Sequence, residues 1–204
     1  MKGYLAAFIL CFLSIKSAQA VVELDGEFNY RKQVYGSTRQ NVVVSRTYSG
    51  SMAIYLFDLT AIELSYMQNA DITTEHNTIA INSAYSIIGF QNRVDSQLYG
   101  VGLRQALAPR GSRFRPMLSL GYGKQFTHYQ TNYDIKTEAS GLVFTVNDSS
   151  GKSRVDSVTA SFGLQIGLTQ RFALKCSVKT VFPAFRTGLA QDNMSYLAGF
   201  TWYL

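Results

Sequence analysis

The chain has 204 residues, 47% of them hydrophobic, and a formal net charge of +6. That length suits one domain rather than two. The positive surplus is dispersed, so it carries no nucleic-acid footprint, and two cysteines and two histidines are too few for a disulfide scaffold or a zinc-ligand pattern.

Residues 1–20 read as a secretory signal. Lys2 supplies the positive start, Tyr4 to Ile15 the apolar run, and Ser17-Ala18-Gln19-Ala20 a small-residue cleavage site. The run is shorter than the roughly 20 residues a spanning helix needs. Leu10, a bulky neighbour, argues against lipidation at Cys11. Cleavage removes Lys2 and Lys16, leaving residues 21–204 with 17 basic against 13 acidic side chains, a net charge of +4. Cys176 would then be the one remaining cysteine, so no intrachain disulfide is expected. No other stretch approaches a spanning helix, and membrane insertion would have to use strands.

The mature region alternates with a period of two, the signature of half-buried strands. The first strand runs near Glu23 to Val34, with Leu24, Gly26, Phe28 and Tyr30 opposite Glu23, Asp25, Glu27 and Arg31. The second covers roughly Val44 to Phe57. After a short turn at Asp58-Leu59-Thr60, a third sets Ile62, Leu64 and Tyr66 against Glu63 and Ser65. A long connection, 68–95, contains a β-rich part from Ile79 to Phe90 that extends the hairpin beyond the membrane. The fourth strand spans about Gln97 to Leu107, and Ala108 to Phe114 is a turn containing Pro and Gly. The fifth runs from Arg115 to Tyr129. A second polar connection, 130–154, is expected to have its tip at Asp148-Ser149-Ser150-Gly151. The sixth, Val155 to Leu168, alternates most cleanly. A tight turn at Thr169-Gln170-Arg171 leads to the seventh, Phe172 to Phe182, and a loop from Pro183 to Met194 to the last, Ser195 to Leu204.

Connections after the second, fourth and sixth strands are short, whereas the others are longer. Outer-membrane barrels have short periplasmic turns, longer surface loops and both termini in the periplasm. The last strand puts Tyr196, Ala198, Phe200, Trp202 and Leu204 on one face, with Leu197 and Tyr203 as exceptions on the other. An apolar final strand would be a liable edge in water but has a partner in a closed barrel. In this pattern, topology and ending, the chain resembles the small eight-stranded outer-membrane barrels of the OmpA membrane domain and OmpX type. The final Leu204 departs from their usual closing aromatic residue.

The resulting expectation is an all-β, antiparallel, up-and-down, eight-stranded transmembrane β-barrel in a Gram-negative outer membrane. Its lumen would hold a polar network of Glu23, Asp25, Glu27, Arg31, Glu63, Arg104, Lys175 and Lys179, because ions in a poorly solvated interior need counter-ions. Inward glycines Gly100, Gly102, Gly121, Gly123, Gly163 and Gly167 would give room and curvature. Tyr30, Tyr66, Tyr99, Tyr122, Phe126, Tyr196 and Trp202 would form the membrane-interface aromatics. Arg46, Lys124, Lys136, Lys152 and Arg154 lie where they could meet lipopolysaccharide phosphates.

Catalysis is not expected. His76 falls in a polar loop and His128 on the lipid side, and neither lies in the His-x-Ser-Asn arrangement of outer-membrane lipid A deacylases. No cofactor or metal is implied, since Asp148 lacks the partners of a calcium loop and the Gly-x-Gly pairs precede no helix. The reading is therefore a non-enzymatic, monomeric barrel with a side-chain-filled lumen and a structural or surface-interaction role. Its partners would be outer-membrane lipid, lipopolysaccharide and, through the last strand, the barrel-assembly machinery. A narrow pore for small solutes or ions and a soluble lipocalin-like ligand-binding barrel are the alternatives, although no Gly-x-Trp opening motif of lipocalins is present.

Overall fold

The computed structural model describes residues 21–36, 39–76, 78–148, 151–184 and 193–204. The predicted signal segment lies outside them. The described chain is strand from end to end: β1 (Val22–Tyr35), β2 (Asn41–Tyr55), β3 (Thr60–Glu75), β4 (Ile79–Ala80), β5 (Tyr85–Ala106), β6 (Phe114–Thr137), β7 (Val143–Asp148), β8 (Lys152–Gly167), β9 (Phe172–Pro183) and β10 (Met194–Tyr203). Every pairing is antiparallel between chain neighbours, and β1 closes onto β10. The short segments β4 and β7 continue the pairing of β3 with β5 and of β8 with β6. The result is a closed barrel of eight strands.

Closure follows from the solvent on each side. A bilayer offers backbone amides no partner, so a sheet crossing it must leave no open edge. Alternation then decides which side chains meet lipid. Leu24, Phe28, Leu64, Leu103, Leu120, Phe162, Leu174 and Phe200 are all exposed outward. Glu23, Asp25, Glu27, Glu63, Arg104, Lys175 and Lys179 are buried inward. This polarity is the reverse of a water-soluble lipocalin-type barrel, which hides its apolar face. Leu197 and Tyr203, the exceptions in the last strand, face inward: Leu197 is buried and Tyr203 Oη donates to Gln165 Oε1 at 3.0 Å.

The short turns all lie at the end where Leu204 N donates to Val22 O, so both described termini share that end. Ala53, Tyr55, Ala61, Ala106 and Met117 form a small apolar cap there, with Val21 and Leu59 against it.

At the other end the strands run further than the sequence suggests. β5 has 22 residues and β6 has 24, and they stay in register from Ala106↔Met117 to Tyr85↔Thr137 apart from one bulge between Ile87 and Gly89. The expected tip at Asp148–Gly151 is not a tip. Asp148 pairs with Thr131, and Gly151 O accepts from Tyr129 N. The chain turns instead at Glu138–Leu142, where Gly141 has φ 69° and its amide donates to Thr137 O. A positive φ there suits glycine, which has no Cβ to clash.

Gly199 meets a different constraint. It sits opposite both Glu27 and Lys175, and a Cβ on it would collide with the Gly26 carbonyl oxygen. Phe200 covers the neighbouring Gly26 from the lipid side, its ring 3.0 Å from where a Gly26 Cβ would stand. Gly199→Ala is expected to destabilise the barrel by about 2–3 kcal/mol. Gly50→Ala, where the nearest atom would be 3.8 Å away, should cost far less. Urea unfolding in detergent, read from the gel mobility of unboiled samples, separates the two. Equal midpoints would refute the close-approach account.

Candidate functional site

The lumen is organised by three alternate acids on β1. Glu23, Asp25 and Glu27 point inward as a ladder because strand side chains alternate. Across them stand Lys175 on β9, Arg104 on β5, Glu63 on β3 and Arg115 at the start of β6. β10 separates β1 from β9, yet its inward positions beside the ladder are Gly199 and Thr201. The missing side chain at Gly199 leaves an open lane between Glu27 and Lys175, whose charged atoms are 3.3 Å apart.

Arg104 is the hub. Its Nη2 lies 2.6 Å from Asp25 Oδ2 and 3.0 Å from Glu63 Oε1, and its Nε donates to Glu63 Oε2 at 3.0 Å. The planar guanidinium thus grips Glu63 through two nitrogens and still reaches Asp25, a geometry an ammonium lacks. Asp25 also accepts from Lys175 Nζ at 2.8 Å, Ser51 Oγ at 3.0 Å and Thr201 Oγ1 at 2.6 Å. Glu23 bonds to Arg115 and accepts from Tyr55 Oη at 3.1 Å. Arg110 Nε lies 3.7 Å from Glu23, with its guanidinium carbon 5.4 Å from the Tyr55 ring centre.

Of the eight residues expected in the network, the structure gathers six into linked ion pairs: Glu23, Asp25, Glu27, Glu63, Arg104 and Lys175. Lys179 is also buried, but its ammonium bonds to Ser49 Oγ at 2.7 Å and, among the described residues, to no carboxylate within 4.0 Å. Arg31 is a correction. It is exposed at the outer mouth and takes no part in the network, because β1 by then has risen past the buried layer. Arg115, Tyr55, Gln165 and Thr201 were missing from the expected set. Parity could have found Arg115, since it shares a face with inward Ser119 and Gly121, but its place beside a turn hid it.

The inward glycines serve packing. Gly100 and Gly102 pair with Gly123 and Gly121, and a Cβ at Gly102 or Gly123 would strike the neighbouring strand's backbone. A Cβ at Gly163 would stand 3.4 Å from Lys175 Cε. Within this layer the residual cavity is about 20 Å³, room for about one water.

The seven aromatics singled out in the sequence are all exposed outward except for partial cover at Phe126 and Tyr66 by neighbours. Tyr66, Tyr99 and Phe126 make one band, with ring centres 5.1 and 6.3 Å apart. Tyr30 lies under Arg46, and Phe126 under Arg154. Trp202 sits towards the opposite end, opposite Leu24 and Phe172 in register. Cys176 is exposed on the lipid-facing side. His76 Nδ1 lies 3.0 Å from Gln40 O, and His128 stands across from Asp95 and Lys152. Among the described residues neither histidine bonds to a hydroxyl or thiol, and no three His, Cys, Asp or Glu side chains are grouped to hold a metal.

These features define a transmembrane β-barrel of the outer-membrane class. The N-terminal barrel domain of OprF from Pseudomonas aeruginosa has the same fold, with a TM-score of 0.51 and 16% identity over 91% of this chain and 98% of that one. Ail of Yersinia pestis aligns over 91% of this chain and 99% of its own, at 9% identity and a TM-score of 0.44. No family model and no curated protein sequence matches the chain.

Removing Arg104 would leave Asp25 and Glu63 buried without their main partner. Arg104→Met is expected to destabilise the barrel by about 3–5 kcal/mol. Arg31→Gln, outside the network, should change stability by less than about 0.5 kcal/mol. Urea midpoints of the two variants in detergent test this, and a mild Arg104 variant would mean the network contributes little.

Proposed function

We propose that this protein is a non-enzymatic, monomeric outer-membrane barrel that does not conduct and works through its outer surface. The observation that carries this reading is the ion-paired layer centred on Arg104, which fills the lumen except for a cavity with room for about one water. An eight-stranded barrel has an interior just wide enough for side chains, and here they are locked to one another.

The surface role rests on the hairpins above the barrel. β4, β5, β6 and β7 pair into a four-stranded sheet beyond the mouth, and Ile79, Ile87, Ile135 and Phe144 fall in one row across it. Glu138 ties the two hairpins together, its amide donating to Ala84 O and its carboxylate accepting from Ser86 Oγ at 2.5 Å. Those contacts hold the Glu138 carboxyl below its ordinary range, chiefly through the Ser86 bond. Around the outer face, Lys124, Lys152 and Arg154 on adjoining strands present charges suited to lipopolysaccharide phosphates, with Lys136 further along β6 and Arg46 on β2, at the level of Lys152 but four strands round the barrel. The terminal strand, paired with β1, is the segment offered to the barrel-assembly machinery.

Two measurements test the reading. The protein should fractionate with the outer membrane and run as a band whose mobility shifts on boiling. Purified barrels in planar bilayers should show no discrete conductance steps. Steps carried by single barrels would overturn the closed lumen and install the narrow pore instead.

A further inference from the structure

Above the ion-paired layer the lumen opens into a polar cup of about 230 Å³ at the outer mouth. Seven of the eight barrel strands contribute to its wall, so it is a bucket enclosed by the sheet rather than a fold in a loop. Lys179 lies at its floor and Arg31 on its wall.

The charge arrangement around Lys179 is unlike that of its neighbours. Every other buried ion of the layer has an opposite charge within 4.0 Å: Glu23 has Arg104 and Arg115, Asp25 has Arg104 and Lys175, Glu27 has Lys175, and Glu63 has Arg104. The four carboxylates are matched by four cations, Arg104, Arg110, Arg115 and Lys175, which leaves Lys179 over. Its residue is only 7% exposed, and its one hydrogen-bond partner among the described residues is the neutral Ser49 hydroxyl. An ammonium has three donors, so two remain for the cup. A cation removed from bulk water without a counter-ion is costly, and a ligand anion would offset that cost. Among the described residues the cup also holds one carboxylate, Asp71, already bonded to Asn69 Nδ2 at 2.5 Å. Two cations against one engaged acid make the described lining of the cup positive.

We infer that the outer mouth is a binding site for a phosphate- or sulfate-type oxyanion, free or borne on a sugar, seated on the Lys179 ammonium and closed from the side by Arg31. Asn29 and Thr47 on the same wall supply neutral polar groups around it. The site rests on the closed-lumen reading only for its floor, and the two fail separately: conductance tests the layer below, and ligand uptake tests the cup.

The test uses the full folded barrel in a zwitterionic detergent, titrated calorimetrically with inorganic phosphate, with glucose 1-phosphate as a sugar-borne phosphate, and with chloride as the control. Saturable phosphate uptake that weakens by about tenfold or more in Lys179→Met is the expected result. Preference for glucose 1-phosphate would assign the oxyanion to a glycan, and preference for inorganic phosphate to the free ion. Boiling-dependent mobility verifies that the variant is folded. Should Lys179→Met not fold, Arg31→Gln replaces it, with a smaller loss of affinity expected. Absence of saturable uptake by the wild type, or unchanged affinity in a folded variant, would overturn the site.

Discussion

Everything in this molecule depends on the pairing of β1 with β10, which makes a ring out of a sheet. In hydrocarbon an unpaired amide or carbonyl has no solvent to turn to, so an open sheet of these strands would be unstable there. Closure removes both edges at once. It also fixes an inside and an outside, and the period-two alternation then sorts every side chain between two environments of opposite polarity.

The ionic layer is a consequence of that sorting. A small barrel has no room for bulk water beside its inward charges, so acids on β1 must be answered by bases on β5, β6 and β9. Partners distant in sequence become neighbours only because the ring closes: Asp25 and Lys175 lie on opposite sides of β10, and Glu23 reaches Arg115 across the lumen. Such a layer adds less net stability than its many contacts suggest, because desolvation offsets much of the attraction. Its stronger effect is on register. A slip of one residue would carry the acid ladder to the lipid side.

Much of this was legible in the residues themselves. The eight strands, the phase of short and long connections, and the inward placement of Glu23, Asp25, Glu27, Glu63, Arg104, Lys175 and Lys179 follow from alternation alone. Height along the barrel does not. Arg31 has the right parity but stands above the buried layer, and only the stagger of the strands reveals that. Arg115 has the right parity too and opens the expected fifth strand, but its place as the first residue after a turn hid its part in the network. The second long connection misled for a different reason. Its polar residues look like a loop, whereas cross-strand pairing with a neighbouring hairpin holds Thr131 to Thr137 and Val143 to Asp148 as strand. The turn that does form was marked by Gly141, one of the two glycines in that stretch.

The length of β6 carries a consequence of its own. Twenty-four residues at about 3.3 Å each make a ribbon of roughly 80 Å, or about 55–65 Å of vertical rise at a barrel's usual tilt. The apolar band needs only about 25 Å of that. The remainder is a mast, stiffened by its union with β5 and carried well clear of the lipid. Along one continuous strand, the lower half answers to the bilayer and the upper half to whatever approaches the cell. Changes at the masthead can therefore alter what the cell touches without disturbing how the barrel is anchored.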